Sequence, residues 1–303
     1  MKYTKTFLFI FFTAVLFTMP QTGLAADSLS SAKQEGEKLK VETAYFQEII
    51  KSGDLYLMND AYDSYSAQIA EAEKAIGRVS GQRTRENLLK QYIRPAKIAK
   101  ERVIYEISEY RLIYKIGLNL TRGASGSTDI AKLSRLSERA AAIKAAGKYE
   151  AIPAVAGNYL RAAESSLKKK TYVKADAKSR GISQLEYEVF LLTNFERVKN
   201  KLSIYTLNMK LSGVARKKSE DMYSKNYFNH TSPTYGSPFD MMQRFGVNYG
   251  YAGENIAKGY TGAHDVVKGW MNSPGHRANI LKKEFGQIGT GYKEKYWTQM
   301  FID

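Results

Sequence analysis

The sequence changes character near residue 180, and this change constrains the fold more than any other feature. Residues 30–170 are rich in Ala, Glu, Lys, Leu and Tyr and poor in Pro, as is typical of helices. Further along, Gly, Pro and Asn become more frequent and the apolar segments become short. This contrast predicts an all-α helical bundle domain over residues 27–178 and a mixed domain over residues 185–303, an α+β chain overall.

Apolar side chains of the first part recur at helical spacing. Two sets follow the pattern i, i+4, i+7, i+11: Tyr65, Ile69, Ala72 and Ile76, and Val103, Ile107, Tyr110 and Tyr114. Each set lies on one helical face, and these faces are predicted to pack against each other. Glycine-containing breaks divide the region into about five helical segments, and Pro95 is predicted to kink or split one of them.

The N-terminus has the pattern of a secretory signal. Lys2 and Lys5 precede an apolar run, Phe7 to Met19, that is too short to span a bilayer comfortably. Small residues up to Ala25 then suit cleavage, so residues 1–25 are predicted to be a signal peptide; an uncleaved membrane anchor is the alternative. Either way the rest is predicted to be secreted, extracellular or cell-wall associated, with no transmembrane span after signal cleavage.

Composition narrows the possible partners and chemistry. The chain has no cysteine, which excludes a disulfide framework, thiol catalysis and cysteine metal ligands. Its formal net charge is +16, with 46 Lys and Arg against 30 Asp and Glu. In an exported protein this charge favours an anionic cell-wall polymer or lipid headgroups as partners, and not nucleic acid, which is absent from that compartment. The other explanation is that the charge only improves solubility.

The last part alternates helices and strands. Helices are predicted over residues 184–199, 203–225, 237–245 and 261–272, and strands over residues 251–257, 287–292 and 296–302. Two of the chain's three histidines, His230 and His276, lie in this part, with Glu254 between them. Imidazole and carboxylate are the usual ligands of divalent metals. The three positions form no local metal motif, so only the fold can bring them together. The third histidine, His264, is predicted at an exposed helix start.

The residues around these positions form ordered blocks that resemble the CAP superfamily of cysteine-rich secretory proteins, antigen 5 and plant pathogenesis-related proteins. The blocks are Thr193 to Arg197, Asn229 to Pro233, Gly253 to Ala257, Trp270 to Leu281 and Tyr296 to Ile302. The resemblance covers about residues 185–303 and points to the cysteine-free, secreted bacterial branch. It implies the CAP (SCP) fold, an α-β-α sandwich with a central cleft, and it does not settle activity.

The resemblance also suggests a site. In the animal and plant branch the cleft holds two histidines and two glutamates that can bind a divalent cation. Here His230 matches the first histidine and Glu254 one glutamate, but Ser273 and Tyr296 stand where the other two ligands would be. His276 belongs to the Ser-Pro-Gly-His block of the bacterial branch. His230, Glu254 and His276 are therefore the candidate metal and catalytic residues, for zinc or another divalent cation.

Several functions remain open at this point. The chain is interpreted first as a non-enzymatic extracellular or cell-envelope binding module whose cleft takes a lipid, peptide or glycan. The alternative is a divalent-metal-dependent, peptidase-like hydrolase, in which Glu254 is a third ligand or a general base beside His230 and His276. The same residues could instead form a buried hydrogen-bonded network, with Asn255 binding backbone groups. A last hypothesis makes the helical bundle a partner-binding stalk.

Overall fold

The computed structural model describes residues 23–147, 150–177 and 181–303. The predicted signal peptide, residues 1–25, lies almost wholly outside the described residues. The chain divides into two compact units: the chain up to Thr43 with Ser66–Lys97, and Ala44–Tyr65 with Ile98–Asp303. In the described part of the chain, no helix is long and apolar enough to cross a membrane.

Two long helices, α1 (Gly23–Ser52) and α2 (Leu55–Gly77), begin the described chain. They are followed by α3 (Gln82–Leu88) and α4 (Arg94–Glu101), which are joined by a π-helical turn, Leu89–Ile93. Pro95 follows this turn and has no N–H to donate to the preceding turn, so the helical hydrogen-bond ladder is interrupted there. The break predicted at this proline is a π-helical turn.

Three more helices belong to the second unit: α5 (Ile104–Leu120), α6 (Ser127–Gly147) and α7 (Ala154–Lys168). The glycine-containing breaks predicted near residues 53, 81, 123–127 and 147 lie at helix ends, while the break at Arg102 and Val103 was not expected. Aromatic rings join α5 and α7 to the next helix, α8 (Gln184–Lys199). Tyr114 lies 5.1 Å from Tyr187, and Tyr159 lies 5.9 Å from Phe195, between ring centroids.

The C-terminal part is built on a five-stranded sheet with the order β1-β2-β4-β5-β3. The strands are β1 (Val173–Lys174), β2 (Thr206–Asn208), β3 (Ala252–Lys258), β4 (Gln287–Lys293) and β5 (Tyr296–Ile302). β5 pairs antiparallel with both β3 and β4, whereas β2 pairs in parallel with β1 and β4. The predicted strands and the α+β class are confirmed. The domain boundary between residues 178 and 185 stays a prediction.

Helices pack on this sheet as an α-β-α sandwich. They are α8 with α9 (Met209–Ser224), α10 (Pro238–Arg244), α11 (Ala263–Met271) and α12 (Pro274–Ile280). Helix α8 has the predicted bounds, but the helix predicted from residue 203 begins only at Met209, because residues 206–208 form β2. The Asn208 side chain then caps α9 by accepting a hydrogen bond from the Leu211 N–H at 3.0 Å.

Helix α9 lies unusually close to β4. A Cβ atom added at Gly289 would lie 2.4 Å from the backbone carbon of Leu211, and one added at Gly291 would lie 2.2 Å from that of Ala215. Only glycine leaves room for a helix backbone at this separation. The glycines of β4 therefore set the distance between the sheet and the helix next to the candidate site.

A buried ion pair ties α9 to α8. The Glu186 side chain is 1% exposed, and Arg216 donates to both of its oxygens, at 2.7 and 2.6 Å. Glu186 also accepts from the backbone N–H of Ser183 at 2.8 Å, completing a capping box at the start of α8. This carboxylate therefore fixes both the beginning of α8 and its position against α9.

Candidate functional site

His230 and Glu254 form the centre of the candidate site. His230 lies in the loop between α9 and α10, and Glu254 lies on β3; the imidazole Nδ1 is 2.7 Å from the carboxylate Oε1. The glutamate side chain is 1% exposed and the histidine side chain 51% exposed. When the neutral ring donates its Nδ1–H to the carboxylate, Nε2 is left with a free lone pair. The buried Glu254 thus orients the half-exposed imidazole of His230.

Glu254 is itself in an unusual environment. Burial raises the pKa of this carboxyl, while the hydrogen bond from His230 and the positive charge of Lys218 act in the opposite direction. The second oxygen, Oε2, is buried and has no hydrogen-bond partner in the described part of the chain. A buried acceptor left without a donor costs about 1–3 kcal/mol. Several tyrosine hydroxyls of the described chain are buried in the same way, but Glu254 is set apart by its hydrogen bond to a half-exposed imidazole.

A network of amides next to this pair, buried at Asn255 and Gln299 and half-buried at Asn279, ties α12 to β3. Asn255 donates to the carbonyl of His276 at 3.1 Å and to Gln299 Oε1 at 3.1 Å. Asn279, on α12, donates to the carbonyl of Glu254 at 3.2 Å and to Asn255 Oδ1 at 2.9 Å. Both hydrogen bonds expected of the network interpretation, one to Glu254 from an imidazole and one from Asn255 to the backbone, are present.

His276 lies near the start of α12 and is half-buried. Burial and the neighbouring His230 lower the pKa of His276, so its ring is neutral at neutral pH. Among the residues that the structure describes, no group of three or more His, Asp or Glu side chains is close enough together to hold a metal ion. The structure thus brings His230 to Glu254, and the three-ligand site with His276 stays a prediction.

The other positions considered from the sequence lie elsewhere. Ser273 is the residue before α12, and Tyr296, the first residue of β5, is buried and pairs with Lys258 of β3. His264 lies on α11, where its ring stacks on Tyr56 at 5.5 Å and its side chain is 29% exposed. The expected exposure of His264 was therefore wrong, because the start of α2 covers this histidine.

Sequence reasoning missed Lys218 and Asp221, which contact the loop that carries His230. The Lys218 side chain is wholly buried, and its Nζ donates to the carbonyl of His230 at 2.5 Å. The signal was present: Lys218 falls on the apolar face of α9, in line with Leu211, Ala215 and Met222. A lysine in such an apolar row is buried only where hydrogen-bond acceptors surround its ammonium.

Comparison with known proteins matches two families to this chain. Residues 190–301 match the cysteine-rich secretory protein family, CAP. Residues 18–97 match the SbsC C-terminal domain, which sequence inspection did not reveal. The second match ends at Lys97, which is also the last residue of the first compact unit.

Two curated proteins of Bacillus subtilis (strain 168) are similar over the same length of chain. The uncharacterized protein YkwD is 56% identical over 123 residues, which cover 40% of this chain and 48% of that protein. The uncharacterized membrane protein YlbC is 41% identical over 117 residues, 39% of this chain and 34% of that protein. The chain therefore spans about half, or less, of the length of these relatives.

Solved structures show a similar extent of likeness. An extracellular protein containing a SCP domain from Bacillus anthracis str. Ames is 35% identical, with 46% of this chain and 49% of that chain covered and a TM-score of 0.39. A cysteine-rich secretory protein from Staphylococcus aureus subsp. aureus Mu50 is 19% identical, with 41% of each chain covered and a TM-score of 0.35.

Proposed function

Residues 190–301 form a CAP domain, and we propose that this domain makes the chain a secreted, non-enzymatic binding module of the cell envelope. Its ligand binds in the cleft at His230 and Glu254. The signal pattern of residues 1–25 supports export, and the net charge of +16 supports an anionic cell-wall polymer or lipid as the partner.

One observation carries this proposal: the buried carboxylate of Glu254 lies 2.7 Å from His230 Nδ1 and orients an imidazole whose side chain is 51% exposed. A hydroxyl or amide N–H of a ligand would donate to the Nε2 of this oriented ring, and an acceptor fixed in this way discriminates against molecules that lack the donor. Phe228, two residues before His230, is 48% exposed and offers an apolar contact beside the polar pair. Ligand sites combine a few fixed polar groups with apolar surface in this way.

The test is retention of the chain without residues 1–25 on isolated cell wall, on anionic phosphatidylglycerol vesicles and on wall-derived peptides. The variants are His230→Ala and Glu254→Gln. The matched control is His264→Gln, which removes a histidine outside the cleft. We expect the cleft variants to weaken retention about tenfold, which corresponds to the loss of one hydrogen bond to the ligand, and the control to bind as the parent does.

The outcome that contradicts the proposal is equally concrete. If the parent is retained by none of the three materials, or if both cleft variants bind as well as the His264→Gln control, the cleft is not a binding site. Binding to an anionic polymer should also weaken as salt is raised from about 0.05 to about 0.5 M, roughly the range over which the Debye length shrinks severalfold.

The second candidate function is the divalent-metal-dependent hydrolase, peptidase-like, that uses His230, Glu254 and His276. The geometry that favours it is the carboxylate–imidazole bond, because a buried carboxylate often orients a metal-binding histidine through its other ring nitrogen. A zinc ion held there would lower the pKa of a bound water. Zinc calorimetry and elemental analysis test it: stoichiometric zinc lost in His230→Ala and His276→Ala, and kept in His264→Ala, would support peptide-hydrolysis assays.

A further inference from the structure

The ammonium of Lys218 is used entirely by the segment that carries His230. Its Nζ donates to the carbonyls of Asn229 at 2.8 Å and His230 at 2.5 Å, and lies 3.4 Å from the Tyr227 hydroxyl. An ammonium has three N–H donors. All three therefore point to acceptors within one short segment of chain, and Nζ also lies 5.2 Å from the centre of the Tyr227 ring.

Asp221, one turn later on α9, binds the same segment with the opposite charge. Its Oδ2 accepts from the Tyr227 hydroxyl and from Ser232 Oγ, both at 2.6 Å, and its Oδ1 accepts from Thr234 Oγ1 at 2.7 Å. These hydrogen bonds hold the pKa of Asp221 below its usual value despite burial. Helix α9 thus holds residues 227–234 on both sides of His230. Lys218 binds backbone carbonyls of this segment, and Asp221 binds its side-chain hydroxyls.

Burying the Lys218 ammonium lowers the stability of the folded state. Removing an ammonium from water costs several kcal/mol, and burial lowers the pKa of Lys218 against the opposing effect of Glu254 and Asp221. An apolar side chain at this position would continue the buried row of α9 without that cost. A connecting loop is ordinarily among the more mobile parts of a domain. The buried charges of Lys218 and Asp221 are therefore explained if residues 227–234 have to hold one conformation.

We propose that Lys218 and Asp221 are positioning residues for the cleft: they fix residues 227–234 so that His230 Nδ1 meets Glu254 Oε1 and Nε2 is left for a ligand. The inference rests on the proposed function, in that it gives the cleft histidine a defined orientation to present. It concerns the state of one imidazole ring, so it can be measured without knowing the ligand.

The experiment reads the tautomer of His230 from the ¹⁵N chemical shifts of its ring, at a pH where the neutral ring predominates. The chain has three histidines, so His264→Gln and His276→Gln complete the assignment. We expect the parent to show the Nδ1–H tautomer. Lys218→Met should convert it to a mixture with the Nε2–H tautomer. The matched control is Lys217→Met, whose lysine is 46% exposed and pairs with Glu220 at the surface.

A role in folding alone is separated from positioning by three milder variants. Asp221→Asn keeps the shape but removes the charge, while Ser232→Ala and Thr234→Val each remove one hydrogen bond to Asp221. These serve if Lys218→Met does not fold. We expect Asp221→Asn to shift the tautomer in the same direction, and the two single-bond variants to shift it less.

An unchanged Nδ1–H tautomer in folded Lys218→Met or Asp221→Asn would overturn the inference, whatever the binding data say. Retention on isolated cell wall, measured on the same samples, addresses the proposed function separately. A shifted tautomer with retention at the parental level would leave the positioning role standing and refute the cleft as the binding site. A shifted tautomer with weakened retention supports both.

Discussion

Glu109 gives the most quantitative prediction about the helical part of the second unit. This glutamate of α5 is 8% exposed. Burial and the nearby charge of Glu164 raise its pKa from the ordinary 4.5 to about 7, against smaller opposing effects of Ser137 and Arg161. In the unfolded chain it ionises at its ordinary pKa. Between pH 4.5 and about 7 the unfolded state therefore releases a proton that the folded state keeps, and stability falls as pH rises through this window.

The magnitude follows from the same pKa values. At about 1.36 kcal/mol per pH unit, the interval from 4.5 to about 7 corresponds to about 3 kcal/mol above pH 7. Solvent screening of a group at a helix interface reduces this to about 2 kcal/mol. Glu109→Gln keeps the shape and gives Glu164 a donor, so it should recover this amount at about pH 8 and almost nothing at about pH 4.5.

Thermal unfolding by circular dichroism checks this. For a unit of this size, about 2 kcal/mol corresponds to a rise in Tm of about 4–8 °C at pH 8. The control is Glu138→Gln, which makes the same charge change at an exposed position of α6, and we expect it to leave Tm unchanged. A gain that is equal at low and high pH, or no gain at high pH, would refute the reasoning.

Three further predictions concern the second unit. The carboxylate of Asp54, 3.7 Å from His264, raises the pKa of that imidazole. The contact therefore contributes stability below about pH 6.5 that is lost as pH rises through the folded pKa: Asp54→Asn, which can still cap α2, should lower Tm at about pH 5.5 and leave it unchanged at about pH 8.5. Arg216→Met leaves the buried Glu186 without its cationic partner and should cost about 3–5 kcal/mol in urea unfolding, largely recovered when Glu186→Gln is added. Gly289→Ala forces a Cβ to 2.4 Å from the α9 backbone; it should cost about 3 kcal/mol, and a Tm within about 2 °C of the parent would contradict the close packing.

Local signals predicted much of the secondary structure. Helix α8 has the predicted bounds, and the structure shows a capping box at Ser183 that accounts for its start. The predicted strands at residues 287–292 and 296–302 are apolar segments around a short turn and form the hairpin of β4 and β5. The start of α9 was missed because β2 is only three residues long and is stabilised by pairing with β1 and β4, contacts that lie far apart in sequence. A short parallel strand carries almost no local signature.

The site was predictable only where the resemblance supplied distant contacts. No local sequence signal places His230 beside Glu254, since His230 belongs to a loop and Glu254 to a strand. The resemblance to the CAP family was what brought them together. Lys218 was missed because a single lysine in a helix is ordinarily solvated, even where it falls in an apolar row. Its acceptors are backbone carbonyls, which no sequence pattern displays. The burial of His264 depends on the start of α2, which lies far earlier in the chain.

The aromatic contacts between α8 and the preceding chain limit how this domain can be recombined with other domains. The family match begins at residue 190, yet Tyr187 and Phe190 of α8 are completely buried, in contact with Tyr114 and Tyr172 from the preceding chain. Large aromatic rings bury about 150–250 Å² each. If the chain were cut at residue 190 and joined to another domain, the apolar face of α8 would be exposed to water. Any domain joined in place of the preceding chain must therefore pack against this face of α8, which limits the domains that can be joined there.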